Sequence, residues 1–238
     1  VMCHIPYLHS VASGVDTLLK PDGVLIFEDP YIGDIVEKTS YDQIYDEHVF
    51  YFSVSSVDNL FKRHGMEVVD VTHNEVHGGS MRYVIARSGS RNVSDATSIQ
   101  KTIESKLGLN SSSAYSELKT DIEKSRDDLI TLLRKLKDQG KRVVGYGATS
   151  KSTTVTNYCG ITPELMEFIS DTTPIKHGKL SPGSHIPVRP YEEFISDYPD
   201  YALLFAWNHA TEIMAKEQRF QESGGKWIVF VPRVQVLD

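Results

Sequence analysis

"VMCHIPYLHSVASGVDTLLKPDGVLIFEDP", residues 1–30, decides how the front of this chain is read. Val1–Ile5 is a short apolar run and reads as a buried strand. Leu8, Val11, Val15, Leu18 and Leu19 then recur at helical spacing. "KPDG" closes that helix, with Asp22-Gly23 as turn chemistry. "GVLIFEDP" is a second buried strand, ending in two acids and a proline. The stretch therefore reads as β-α-β, the unit of a parallel sheet. A strand at residue 1 needs earlier strands to join. The chain is accordingly expected to be the rear part of a longer protein.

Working outward, residues 31–53 are loop-rich. "SVSSVDNLFKRHG" reads as a helix, with a serine able to cap its start and Gly65 ending it. "MEVVDVTHNEV" and "SMRYVIARS" are two strands joined through "HGG", expected to be antiparallel. The polar, small-residue stretch 88–98 is a candidate boundary, so residues 1–90 and 91–238 are expected to be separate domains. Helical segments follow. The longer carries an apolar stripe at Tyr115, Leu118, Ile122, Leu129, Leu132, Leu133 and Leu136, and Gly140 stops it. "KRVVGYGATSKSTTVTNYCG" then gives strand, glycine turn and helix, and alternating strands and helices continue to "GKWIVFVP". The rear half reads as a small α/β domain.

Composition narrows the classes. With 40% apolar and 24% charged residues, 238 residues can bury an ordinary globular core. A formal net charge of −7 argues against a nucleic-acid binder, whose domains show a basic face. No apolar run is long enough for a membrane span, and no secretory signal is visible. Cys3 and Cys159 are far apart and read as free thiols in a reducing, cytoplasmic compartment.

The stretch richest in chemistry is "YDEHVFYFS", residues 45–53. His48 can take a proton at neutral pH. Asp46 or Glu47 can orient its ring and stabilise the imidazolium, and Tyr45 can donate to a developing oxyanion. The plain alternative is a solvated turn before a core strand. His4 is a second histidine, at the end of the first predicted strand. In "HGGSMR", Gly79 and Ser80 allow backbone to lie close to a ligand, and Arg82 can bind phosphate or carboxylate. The alternative is a hairpin turn with a surface arginine.

In "GYGATSK", Gly145 and Gly147 stand between a strand and a helix whose free N–H groups suit an anion, and Lys151 adds a charge. The motif is neither a full G-x-G-x-x-G nor a Walker A loop, and a plain strand-to-helix turn is the alternative. Asp171 ends the next strand, where an acid can hold a ribose in dinucleotide folds. Lys176 and Lys179 lie in an aperiodic loop after it. "WNH", 207–209, ends another strand, where Asn208 can face a ligand or cap a helix. No C-x-x-C or H-E-x-x-H occurs, so no metal is expected in this chain.

Taken in order, these motifs resemble one family. Residues 1–30 look like the later motifs of a class I S-adenosylmethionine methyltransferase. The run from His4 through "YDEHVFYFS", "HGGSMR", "GYGATSKS", "D-x-x-P-x-K-x-G", "PGSHIPV" and "AWNHATEI" resembles the C-methyltransferases that act on nucleotide-linked 4-keto deoxysugars. The resemblance spans essentially the whole chain. It implies an α/β fold: the rear part of a class I methyltransferase sheet followed by a Rossmann-like domain. It implies S-adenosylmethionine as methyl donor and a nucleotide-sugar as substrate. Family members also carry an N-terminal zinc-binding lobe and a glycine-rich donor turn that this chain lacks. The donor site and the zinc are therefore expected mostly outside it, and the isolated fragment is expected to be inactive.

By the same resemblance His48 is the general base, Tyr45 and Glu47 position sugar and base, and His4 lines the same pocket. The "GYGATSK" region helps to hold the nucleotide. Three other readings stand beside this one: a non-catalytic nucleotide-sugar-binding module, an NAD-dependent sugar oxidoreductase, and an O- or N-methyltransferase.

Overall fold

A computed structural model describes residues 1–237. The chain divides into two compact units, one of Val1–Glu37 and Asp46–Leu118, the other of Lys38–Tyr45 and Lys119–Asp238.

The first unit opens on a 3-10 turn, Met2–His4, where the sequence suggested a strand. Met2 and Cys3 are both buried, a pattern that the alternation of a strand does not give. Short apolar runs carry no period that separates the two forms. Helix α1, Leu8–Leu18, follows as its spacing predicts, and strand β1 is Val24–Pro30. The β-α-β expectation fails here. β1 pairs antiparallel with β3, Ser80–Arg87, which also pairs antiparallel with β2, Met66–Asn74. The sheet order is β1-β3-β2. The last strand thus lies between two that run in the same direction.

Residues read as loop hold helix α2, Ile32–Lys38, and a 3-10 turn, Tyr41–Gln43. Helix α3, Val54–Lys62, begins at a capping box of Ser53 and Ser56, and Gly65 beyond its end has φ +69°. Helix α4, Asp95–Lys106, groups with this unit. The compact division therefore falls at Leu118 and not at residue 90. Phe27, Phe52, Phe61 and Tyr83 form an aromatic cluster in its core.

Helix α5, Ser112–Asp138, leads into the second unit, with Leu129, Leu133 and Leu136 buried and Gly140 at φ +70° beyond its end. The elements that follow are β4 (Val143–Tyr146), α6 (Ser150–Cys159), β5 (Ile169–Asp171), β6 (Val188–Pro190) and α7 (Tyr191–Ser196). After them come β7 (Tyr201–Leu204), α8 (Ala210–Lys216), α9 (Gln218–Glu222), β8 (Lys226–Val229) and β9 (Gln235–Leu237). The sheet order is β6-β5-β4-β7-β8-β9, parallel except for β9.

Alternation along these strands fills both faces. Val143, Ile169, Leu203 and Ile228 pack with Leu129 and Leu133 of α5, and Val144, Ala202, Leu204 and Trp227 pack with Phe194 of α7 and Phe220 of α9. A parallel sheet buried on both sides is the Rossmann-like arrangement the resemblance implied. No described helix is long and apolar enough to cross a membrane.

Candidate functional site

In the first unit the histidine of "YDEH" comes beside the histidine of the N-terminal turn. The backbone N–H groups of Val49 and Phe50 donate to the Cys3 carbonyl, at 2.9 and 3.1 Å. His4 Nδ1 lies 2.7 Å from the Glu47 carbonyl oxygen. A carbonyl can only accept, so Nδ1 carries the proton and Nε2 keeps its lone pair in the neutral ring. The His4 and His48 rings are 5.1 Å apart, and Tyr51 meets His48 edge-on at 5.7 Å. Glu47 thus serves His4 with its backbone, and its side chain is exposed, as is that of Asp46. Tyr45 is half-buried and belongs to the second unit, ending the segment Lys38–Tyr45.

The far end of the segment is anchored as firmly. Ile32 N–H donates to Phe52 O at 3.0 Å, and α3 starts at Ser53. Beneath the turn lies Cys3, 1% exposed, its Sγ 3.3 Å from Asp29 Oδ1. Burial, with Asp29 beside it, pushes the Cys3 thiol up to about 11. One ligand atom each of Cys3, His4 and His48 lies within 4.8 Å of the others. The spacing gives no sign of this constellation, because His48 is distant in the chain from the adjacent Cys3 and His4 and the three form no metal-binding motif.

The other candidates of this unit are held by the protein itself. Arg82 donates to Glu28 Oε2 through Nε at 3.0 Å, an ion pair between residues opposite each other on β1 and β3. Gly79, at φ +136°, lies against Asp34, where a Cβ would stand 2.1 Å from Cγ. Asp34 Oδ2 is also 2.7 Å from His73 Nε2. Ser80 is buried, its hydroxyl donating to Val76 O at 2.9 Å.

In the second unit, the glycine turn opens on a cleft of about 370 Å³ at the start of α6. Thr149 caps α6, with Ser152 completing the capping box. Gly147 has φ +93°, a conformation that favours glycine, whereas Gly145 is required by packing against Phe205 and Met166. Lys176, Lys179 and Ser181 line the cleft, and Ser181 Oγ is buried without a hydrogen-bond partner. Lys176 Nζ donates to Ala148 O at 2.7 Å and to Asp171 Oδ2 at 3.1 Å.

Asp171 also accepts from Ala148 N–H at 2.8 Å and from Thr173 N–H at 2.8 Å. Burial pushes its carboxyl up, but the bonds from Thr173 and Lys176 outweigh that and leave it below the ordinary range. Its carboxylate thereby staples the glycine turn to the loop that follows β5.

Lys151 is turned elsewhere. Its Nζ lies 3.7 Å from Asp42 Oδ2, 3.3 Å from Asn208 Oδ1 and 4.9 Å from the centre of the Trp207 ring. Trp207 Nε1 donates to Asp42 Oδ2 at 2.7 Å, so "WNH" binds the segment Lys38–Tyr45 rather than capping a helix. Burial pushes the Asp42 carboxyl up and pulls the Lys151 ammonium down.

Residues 75–232 match the family model described as C-methyltransferase C-terminal domain, and residues 1–71 match a methyltransferase domain model. The chain is 39% identical over 235 residues to C-methyltransferase NovU of Streptomyces niveus, covering 98% of this chain and 56% of that protein. The chain thus spans little more than half the length of this relative. With more than half of its length matched by the family's own C-terminal domain, the chain belongs to the C-methyltransferases.

Proposed function

We propose that the protein transfers a methyl group from S-adenosylmethionine to a carbon beside the ketone of a nucleotide-linked keto-deoxysugar, with His48 as the base. A C–H bond is a poor nucleophile, but one next to a ketone can be ionised to an enolate. His48 takes that proton, and the Tyr45 hydroxyl donates to the enolate oxygen. Glu47 positions the sugar and the base. His4, with Nδ1 committed to the Glu47 carbonyl, presents Nε2 and can accept the proton onward. Acid–base assistance of this kind contributes about 10²- to 10⁴-fold. S-Adenosylmethionine supplies an electrophilic methyl. The glycine-rich donor turn of class I methyltransferases has no counterpart among the described residues of the first unit, whose sheet is antiparallel, so no residue here is assigned to that group.

The cleft at α6 is the place for the nucleotide's diphosphate. It combines a helix N-terminus, Lys179 exposed at its rim, and the unpartnered Ser181 hydroxyl. The observation that carries the whole reading is the His48 imidazole, on a segment anchored at both ends and 5.1 Å from the imidazole of His4.

The test is solvent exchange. The protein as its natural gene encodes it, incubated with keto-sugar nucleotide in D₂O, should wash deuterium into the position alpha to the ketone, and His48→Ala should abolish this. Normal exchange in the variant overturns the base assignment. Methylation by the wild type at a heteroatom overturns the enolate.

A further inference from the structure

The first unit brings together three side chains with the donor chemistry of a zinc site. Cys3 Sγ, one nitrogen of His4 and one of His48 all lie within 4.8 Å of one another. Bonds of roughly 2.0–2.3 Å to a tetrahedral ion need ligand atoms about 3.3–3.8 Å apart, so the three atoms have to draw together on binding. One of the three already has the backing that metal ligands use. His4 Nδ1 is fixed on the Glu47 carbonyl at 2.7 Å, which leaves Nε2 as the ligand atom. Cys3 is held by its backbone N–H, which donates to Asp29 Oδ2 at 3.1 Å, while its S–H donates to Asp29 Oδ1 at 3.3 Å, a bond given up when the sulfur takes an ion. A carbonyl partner of this kind orients an imidazole ligand and raises its basicity. The backbone bonds from Val49 and Phe50 to Cys3 O hold the two segments together before any ion arrives.

We propose that Cys3, His4 and His48 form an inhibitory site for a divalent transition ion of the zinc class. One sulfur and two imidazole nitrogens suit that class, with a fourth position left to water. On binding, the Sγ–metal bond forms and the S–H bond breaks, its proton passing by way of Asp29 to solvent. His48 donates its lone pair to the ion and can no longer take a proton from substrate. The inhibitory consequence rests on His48 being the base, whereas the site itself does not. A second histidine pair, His9 and His64, has ring nitrogens 3.0 Å apart but brings only two ligands, so it serves as the control.

The experiment titrates this chain with Co²⁺, the spectroscopic stand-in for zinc. One equivalent should produce a thiolate-to-metal charge-transfer band, bleached by Zn²⁺. Cys3→Ser should lose the band. His48→Gln should weaken binding about 10- to 100-fold, at least the loss given by removing an outer-shell partner. Cys159→Ser and His64→Ala should titrate like the wild type. A wild-type chain with no band, a band that survives Cys3→Ser, or binding lost in His64→Ala overturns the proposal. If circular dichroism shows Cys3→Ser unfolded, His48→Gln decides, and unchanged affinity there overturns it. The two readings fail separately: metal binding with exchange intact in His48→Ala removes only the base, and exchange lost there without metal binding removes only this site.

Discussion

Glu104 Oε2 accepts from both the backbone N–H and the hydroxyl of Ser55, at 2.9 and 2.6 Å. Its other oxygen accepts from Val54 N–H and from the Tyr31 hydroxyl. Glu104 is fully buried, so a carboxylate from α4 occupies the N-terminus of α3 as a bound anion would. That helix begins where the segment carrying His48 ends. Glu104→Ala leaves two buried donors, the Val54 N–H and the Tyr31 hydroxyl, without this acceptor. It should destabilise the fold by about 3 kcal/mol, each orphaned donor costing about 1–3 kcal/mol. Glu104→Gln, which keeps one acceptor, should lose less. Urea unfolding reads both, and a loss under about 1 kcal/mol for the alanine variant contradicts the capping role.

Asp58 gives the first unit an acid-sensitive tie. Its carboxylate accepts from Lys101 Nζ at 2.6 Å and Val68 N–H at 3.0 Å, with Lys62 Nζ at 2.8 Å. One buried group thus joins α3, α4 and β2. Burial pushes its carboxyl up, but the bonds from Lys101 and Lys62 outweigh it, and the group sits below the ordinary range. A depressed folded-state value means the unfolded chain binds the proton first as pH falls. The contribution is therefore complete above the ordinary aspartate value of about 3.9 and is lost as pH drops through the lower folded value. Unfolding free energies measured across that window should fall for the wild type and fall less steeply for Asp58→Asn. Parallel slopes for the two proteins contradict this.

What could be read in the sequence was local. The period of α1, the serine cap and glycine stop of α3, the antiparallel pair around "HGG", and the strand–turn–helix at Gly145–Gly147 all depend on neighbouring residues, and all are present. What could not be read depends on distant partners. Val1–Ile5 carries strand-like composition, but Met2 and Cys3 turn inward together. β1 has a strand's sequence that says nothing of its partner's direction. The polar stretch 88–98 resembles a linker, yet α4 beyond it stays with the first unit through Glu104. Gly79 does admit a close approach, and the group against it is the Asp34 side chain, which is distant in the chain. At the candidate site, His4 and His48 were legible as residue types, and the order of motifs tied them to one family. The involvement of Cys3 was not legible, because only the fold brings its thiol to them.

Lys151 and Lys179 should separate cleanly, although the sequence reading gave both to the nucleotide. Lys151 is 16% exposed and faces an Asp42 carboxylate that is fully buried. Lys151→Ala leaves that carboxylate without its cation, beside a Trp207 N–H that satisfies only one oxygen. Removing one partner of a buried pair costs about 3–5 kcal/mol, so this variant should show a large stability loss in urea. Lys179 is exposed at the rim of the cleft. Lys179→Ala should leave stability within about 0.5 kcal/mol of the wild type. Calorimetry with a nucleoside diphosphate should show its affinity reduced about fivefold, the scale of one exposed ion pair. The reverse result would move the diphosphate out of this cleft: nucleotide binding lost in Lys151→Ala at full stability, and unchanged in Lys179→Ala.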